Sequence, residues 1–189
     1  MSDVVLIRHA ETEWSRRGRH TGRSDVPLTA SGRAAASALA RRLEGRVVRC
    51  AFTSPLSRAA ETARLAGLAA APDADLMEWD YGEYEGMTTT QVRELQPEWS
   101  LWRDGCPGGE DAVGVGARAD RVVARILKEI ERGEGDVVVF AHGHVLRVFA
   151  ARWCELDASV GSRLRLDTAS ISVLGREHEI RVIYRWNDA

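Results

Sequence analysis

The chain alternates short apolar runs with longer stretches of mixed polarity. Asp3 to Ile7 and Asp136 to Ala141 ("DVVVFA") are continuous and β-branched, which predicts strands buried on both faces of a parallel sheet. Val47 to Thr53 ("VVRCAFT") is a weaker third example. Ile171 to Leu174 and Ile180 to Tyr184 flank "GREHE". Apolar residues at alternate positions, Ile180, Val182 and Tyr184, predict a half-exposed hairpin there.

Helical patterns fill the intervals. Thr29 to Leu43 is alanine-rich and stops at Gly45. Ser54-Pro55 before "LSRAAETARLAG" predicts a helix with Ser54 as cap, proline at its first position and a glycine stop. Val115, Val122, Ile126 and Ile130 share one face of a long helix ending before Gly133. "HVLRVFAARW" follows the DVVVFA strand directly. This alternation predicts an α/β fold, a three-layer sandwich whose mostly parallel central sheet carries helices on both faces. The stretch from Pro72 to Gly116 breaks the rhythm and is rich in glycine and aromatics. It reads as an insertion, about 72–116, covering the active site within a single domain of residues 1–189.

Composition narrows the function classes. At 189 residues, 44% hydrophobic and 29% charged, the chain suits one globular core. No apolar run approaches the roughly 20 residues that span a bilayer. "MSDVVLIRHA" reaches a charge too early for a secretory leader, so no membrane partner and a cytoplasmic location are expected. A formal charge of −2 gives no support to a nucleic-acid partner. Cys50, Cys106 and Cys154 are odd in number and lack a C-x-x-C pair, which predicts reduced thiols. Lys128 is the only lysine among 26 basic residues, so an arginine needs a context before it counts. Nothing in the pattern sets an oligomeric state.

That context comes from strand ends, where ligands bind in open α/β sheets. The first strand runs into Arg8-His9 and the DVVVFA strand into His142-Gly143-His144, while the VVRCAFT strand leads to Arg58 in the first turn of a helix. Two imidazoles and two guanidinium groups thus converge on one rim. Guanidinium forks match the equatorial oxygens of a phosphoryl group in transfer. A neutral imidazole can attack phosphorus and hold the group covalently. A second imidazole and the helix N-terminus after His142 can bind the same oxygens. A carboxylic acid must protonate the leaving alkoxide, and "LMEWDYGEYEG" offers Glu78, Asp80, Glu83 and Glu85. A metal site on His142-x-His144 finds no third ligand cluster, and the reaction needs no metal or other cofactor.

The stretches "RHAETEW", "GRSDVPLTASG", "SPLSRAAETA", "LMEWDYGEYEG" and "FAHGHVLR" resemble, in order, successive motifs of the phosphoglycerate-mutase-like branch of the histidine phosphatase family. The resemblance implies a phosphoglycerate-mutase-like fold and hydrolysis of a small-molecule phosphate monoester. It further implies His9 as the nucleophile, Arg8, Arg58 and His142 as phosphoryl ligands, and Glu78 as the proton donor. Ser15 falls where the family often has a phosphate-contacting asparagine; Thr21 and Gly22 fall on a loop that meets substrate, and Gly143 follows the second histidine. Ala10 departs from the usual glycine, and costs about 1 kcal/mol if the backbone there needs positive φ.

Within the family, "RHTGRSDVPLT", "EWDYGEYEG", "WRDGC" and "FAHGHVLRVFAARW" are most similar to sedoheptulose-bisphosphatase-like enzymes and actinobacterial acid phosphatases. That likeness implies a sugar (bis)phosphate, with His20, Tyr81 and Arg147 touching sugar or a second phosphate. His144 is expected at the helix start, supporting the site, and Trp79 and Trp102 as walls of the pocket. Arginines near Glu78 favour its charged form and phosphate opposes it, which predicts an acidic to neutral optimum. A mutase that returns the phosphoryl group, a non-catalytic phospholigand-binding module and a metal-dependent hydrolase remain alternatives.

Overall fold

The structure, a computed structural model, describes residues 2–189. Among these, the strands form one six-stranded sheet in the order β3-β2-β4-β1-β5-β6. They are β1 (Val4–Arg8), β2 (Val48–Thr53), β3 (Ala71–Pro72), β4 (Asp136–Ala141), β5 (Ile171–Glu177) and β6 (Ile180–Asp188). β3, β2, β4 and β1 run parallel, whereas β5 pairs antiparallel with β1, and β6 antiparallel with β5.

The two-residue period of the strands sorts their side chains into two cores. Val5 and Ile7 of β1, with Val138 and Phe140 of β4, pack against Leu39 and Leu43 on one face. Leu39 lies on α2 (Ala30–Arg42), and Ala63 of the same core lies on α3 (Ser57–Leu65). Val4, Leu6, Val137, Val139 and Ala141 face α6 (Ala112–Glu131) and α7 (Gly143–Trp153) on the other. This explains why the β1 and β4 runs are apolar throughout. α7 inserts Val145, Leu146, Phe149 and Trp153, all essentially buried, each worth roughly 1.5–3 kcal/mol of transfer free energy. The expected three-layer α/β sandwich is observed.

Local details depart from the sequence pattern. Ser54 does not cap α3: its hydroxyl accepts from Leu56 N–H (3.3 Å) in a turn. The helix begins at Ser57, whose N–H and hydroxyl both donate to Asp25 Oδ1, at 2.9 and 2.8 Å. Ala10 lies outside the positive-φ region, so its Cβ carries no backbone strain. In β6 the alternating set faces outward, with Ile180 and Tyr184 exposed, while Ile183 and Trp186 pack on the core.

The connecting segment ends earlier than expected. Asp111 caps α6 through a bond from Gly114 N–H (2.8 Å), so Ala112–Gly116 belong to that helix. The remainder holds two 3-10 turns, α4 (Thr89–Leu95) and α5 (Leu101–Asp104). α1 (Glu13–Arg16) lies just beyond β1. Trp79, Tyr81, Tyr84 and Trp99 of this segment are buried in the same core as α6 and α7, so it is packed structure. Among the described residues the three cysteines are free, and no helix is long and apolar enough to cross a membrane.

Candidate active site

Strand order brings the candidate residues together. β4 lies between β1 and β2, so the residue after β4 sits between those that follow its neighbours. The ladder continues one step past each strand: His9 N–H donates to Ala141 O (2.8 Å) and Ser54 N–H to Phe140 O (2.9 Å). The His9 and His142 rings come to rest with centroids 5.1 Å apart. Arg58, one residue into α3, donates from Nε to His142 Nδ1 at 3.0 Å.

These bonds fix both imidazole tautomers. His9 Nδ1 lies 2.8 Å from Ala10 O and must carry the hydrogen, which leaves Nε2 with a lone pair. His142 Nδ1 accepts from Arg58, so its hydrogen is on Nε2. Burial, then the charges of Arg8 and Arg58, holds the His9 pKa well below the ordinary imidazole value. Burial, then Arg58, does the same to His142. Both rings are neutral.

Two buried donors here have no partner within the protein: Arg8 Nε and His142 Nε2. Unpaired buried N–H groups are costly, and a tetrahedral anion would satisfy both. Arg8 is anchored by an Nη1 bond to Leu166 O (2.6 Å). Arg58 is more committed than its expected role suggests. Besides His142 it donates to Ser24 O, Thr21 O and Gly22 O, at 2.8, 2.9 and 2.9 Å, so its guanidinium braces the 21–24 loop. Thr62, one turn further along α3, accepts from Ala10 N–H (3.1 Å) and donates to Arg58 O (2.6 Å).

Glu78 is the carboxylate that reaches this centre. It is 4% exposed, and it occupies the N-terminus of α7. Oε1 accepts from Trp79 N–H and Val145 N–H, and Oε2 from His144 N–H, each at 2.9 Å. The helix N-terminus expected to bind phosphate oxygens is therefore capped by Glu78, as the macrodipole favours. A carboxylate has about four lone-pair sites, so one site on Oε2 is left over. A Cβ on Gly143 would lie 3.4 Å from Arg8 Cζ and 3.6 Å from Glu78 Oε2, within the space those two groups border. The other acidic candidates lie elsewhere. Asp80 pairs with Arg23 (3.2 Å), Glu83 is exposed, and Glu85 holds Gly22 and Ser24 N–H.

A cleft of about 220 Å³ opens from this point, lined by Arg8, His9 and Glu78 and further out by Arg19, His20, Tyr81, His144 and Arg147. Thr21 also lines it, with its hydroxyl donated to Arg19 O (3.1 Å). Ser15 lines the cleft too, but its hydroxyl closes a capping box with Thr12. Gly22 does not line it. A Cβ there would come within 2.6 Å of Trp79 O and Glu85 Oε2, so this glycine serves close packing. His20 packs against Tyr81 with ring centroids 4.7 Å apart and planes tilted by 32°, and burial lowers its pKa to about 4. Arg147 donates to Gly161 O and Ser162 O, at 2.9 and 3.2 Å, and lies 4.7 Å over Trp102. His142 and His144 point into different surroundings, the one to Arg58 and the other to Tyr81, so they do not form a joint metal site.

Three residues escaped the sequence reading. Thr62 joins the His9 loop to α3. Arg19 lines the cleft and donates to Gly86 O (3.0 Å). Arg118 grips Glu110 through two bonds of 2.7 and 2.8 Å and donates to Asp75 O and Met77 O, fixing the backbone that carries Glu78. Arg118 follows Val115 by three positions and precedes Val122 by four. An arginine inside an apolar helical stripe was the available signal.

Comparison with known proteins gives the chain its family. The chain is 44% identical over 185 residues to an acid phosphatase of Mycobacterium tuberculosis, covering 94% of this chain and 88% of that protein. It is 39% identical over 190 residues to a sedoheptulose 1,7-bisphosphatase of Saccharomyces cerevisiae, covering 79% of this chain and 66% of that protein. A solved Mycobacterium tuberculosis structure superposes with a TM-score of 0.95 at 41% identity, covering 100% of this chain and 98% of that one. The family model for the histidine phosphatase superfamily, branch 1, matches residues 4–189. The chain belongs to the histidine phosphatase superfamily, branch 1.

Proposed function

We propose that this protein hydrolyses a phosphate monoester, a sugar phosphate or sugar bisphosphate, through a phosphohistidine on His9. The observation that carries the reading is the pair of unpartnered buried donors, Arg8 Nε and His142 Nε2, beside a His9 ring whose Nε2 is free to attack. The relatives named for acid phosphatase and sedoheptulose bisphosphatase activity support the substrate class.

In the first step His9 Nε2 attacks phosphorus as the P–O ester bond breaks. Glu78, protonated on the spare site of Oε2, gives its proton to the departing alkoxide. Arg8 and His142 bind the equatorial oxygens where charge spreads. Arg58 acts from behind, holding the His142 tautomer and the substrate loop. In the second step Glu78 takes a proton from water, whose oxygen attacks phosphorus and releases His9. Water supplies the oxygen and both hydrogens, so the two steps balance without a redox partner. A His9 ring that stays neutral well into acid supports an acidic to neutral optimum.

The test is phosphate release from a panel of sugar phosphates, nucleotides and phosphoamino acids, with trapping of acid-labile phosphoryl label on the protein. His9→Ala should abolish both label and turnover, by about 10⁴-fold or more. Undiminished hydrolysis by His9→Ala overturns the reading.

A further inference from the structure

His144 is the second residue of α7 and lines the cleft next to Glu78. Its backbone N–H holds Glu78 Oε2, a contact any residue there would make. Its imidazole is a separate matter. The ring is fenced by Trp102, Tyr81 and Trp79, with centroids 5.5, 5.9 and 6.2 Å away, so its orientation is set.

The hydrogen on the ring is set as well. Tyr81 Oη lies 2.6 Å from His144 Nδ1. Burial pushes the phenol pKa well above its ordinary value, so the hydroxyl keeps its hydrogen. Among the described residues Nδ1 is the acceptor that this hydroxyl reaches. Burial, then Arg147, keeps the imidazole neutral. A neutral ring whose Nδ1 accepts carries its hydrogen on Nε2. The side chain is 21% exposed, and that N–H is the polar edge left to the cleft. Nδ1 is 4.0 Å from Glu78 Oε2, so the ring stands beside the oxygen that would protonate the leaving group.

We propose that His144 Nε2–H donates to a hydroxyl on the leaving group, next to the ester oxygen, and selects polyhydroxylated leaving groups over plain alkyl ones. Tyr81 is the positioning residue that holds the tautomer. The proposal rests on the phosphatase reading of the cleft. It assigns the imidazole a task separate from phosphate binding, and separate from the backbone cap on Glu78.

Glycerol phosphate and propyl phosphate form a matched pair of esters that differ in hydroxyl groups, and phenyl phosphate reports the basal reaction. For His144→Phe, kcat/KM on glycerol phosphate should fall about tenfold, against less than about threefold on propyl phosphate. His144→Gln, whose amide places a donor near the Nε2 position, should recover part of the preference. Tyr81→Phe, which frees the tautomer, should weaken the preference while leaving His144 in place. Should His144→Phe not fold, the other two variants decide. Equal losses on both esters, or none on glycerol phosphate, overturn the inference while phenyl phosphate turnover keeps the phosphatase reading intact. A wild-type protein that releases no phosphate from phenyl phosphate, glycerol phosphate or any ester of the sugar phosphate panel overturns both.

Discussion

At the inner end of the cleft Arg8 and His9 line the wall, with His142 and Arg58 buried behind them. The first three come from the ends of β1 and β4, and Arg58 from the first turn of α3 after β2. Each is fixed by hydrogen bonds to neighbouring backbone or side chains. The outer wall is made differently. His20, Tyr81, His144 and Arg147 come from loops, the connecting segment and α7, and they hold one another by ring contacts and single bonds. Trp79 and Trp102, expected as pocket walls, back these side chains and do not line the cleft. The inner end carries fixed charge and two unpartnered donors, suited to one tetrahedral anion. The outer wall carries neutral imidazoles and aromatic faces beside the Arg19 and Arg147 guanidinium groups, suited to a hydroxylated body that can carry a second anion. Glu78 stands at the seam, contributed by the connecting segment but held by α7.

The largest effect expected at this seam is that of Glu78→Gln. The amide group would face a backbone N–H on one side, which costs about 1–3 kcal/mol for the unpaired donor, and it cannot carry the proton. Turnover of alkyl phosphates should fall by about 10²- to 10⁴-fold, and that of phenyl phosphate by much less, because phenolate leaves without help. Loss of only a few-fold on the alkyl esters would remove Glu78 from the chemistry and make it a helix cap alone.

Arg147→Met tests the outer wall from the other side. Methionine keeps an apolar chain over Trp102 but removes the N–H groups that reach Gly161 O, Ser162 O and the cleft. KM should rise about tenfold with kcat changed by less than about threefold, the signature of lost uniform binding. A fall in kcat at constant KM would mean that the wall acts on the reacting centre, and the division between the two ends would fail.

The same division governs what was legible in the sequence. Arg8, His9 and His142 follow β-branched runs directly, and a parallel sheet has one chemically useful edge, so those side chains could be placed from pattern alone. Arg58 followed from the strand and helix start before it, whereas Glu78 needed the motif to be told from Asp80, Glu83 and Glu85. What a strand end cannot reveal is how a polar group is spent. Ser15 is used in a cap, Gly22 in close packing, and most of the Arg58 guanidinium on loop carbonyls, because those partners are distant in sequence and set by tertiary contact. Arg118, Thr62 and Arg19 were hidden for the same reason in a chain with so many arginines. The cap of α3 was misread because Asp25, rather than the adjacent Ser54, reaches the helix start.

The smallest expected effect separates the two ends by their histidines. His9 and His142 owe their depressed pKa to burial and then to the neighbouring arginines, whereas burial alone lowers His20, to about 4. An unfolded histidine takes up a proton below about pH 6.5, but folded His20 does not until about pH 4. Folding stability therefore falls as pH drops through that window, by at most about 1.4 kcal/mol per pH unit for one such group, and is unaffected by it above. His20→Phe keeps a ring packed against Tyr81 and removes this share, so the fall in Tm between about pH 6.5 and 4 should become shallower by a few degrees. Saturating inorganic phosphate should raise the inner histidines toward their ordinary range through the bound anion and leave His20 titrating as before, which proton NMR of the imidazole resonances can follow. An unchanged Tm profile in His20→Phe, or a His20 resonance that moves with phosphate as far as His9, would show that the two ends share one electrostatic environment.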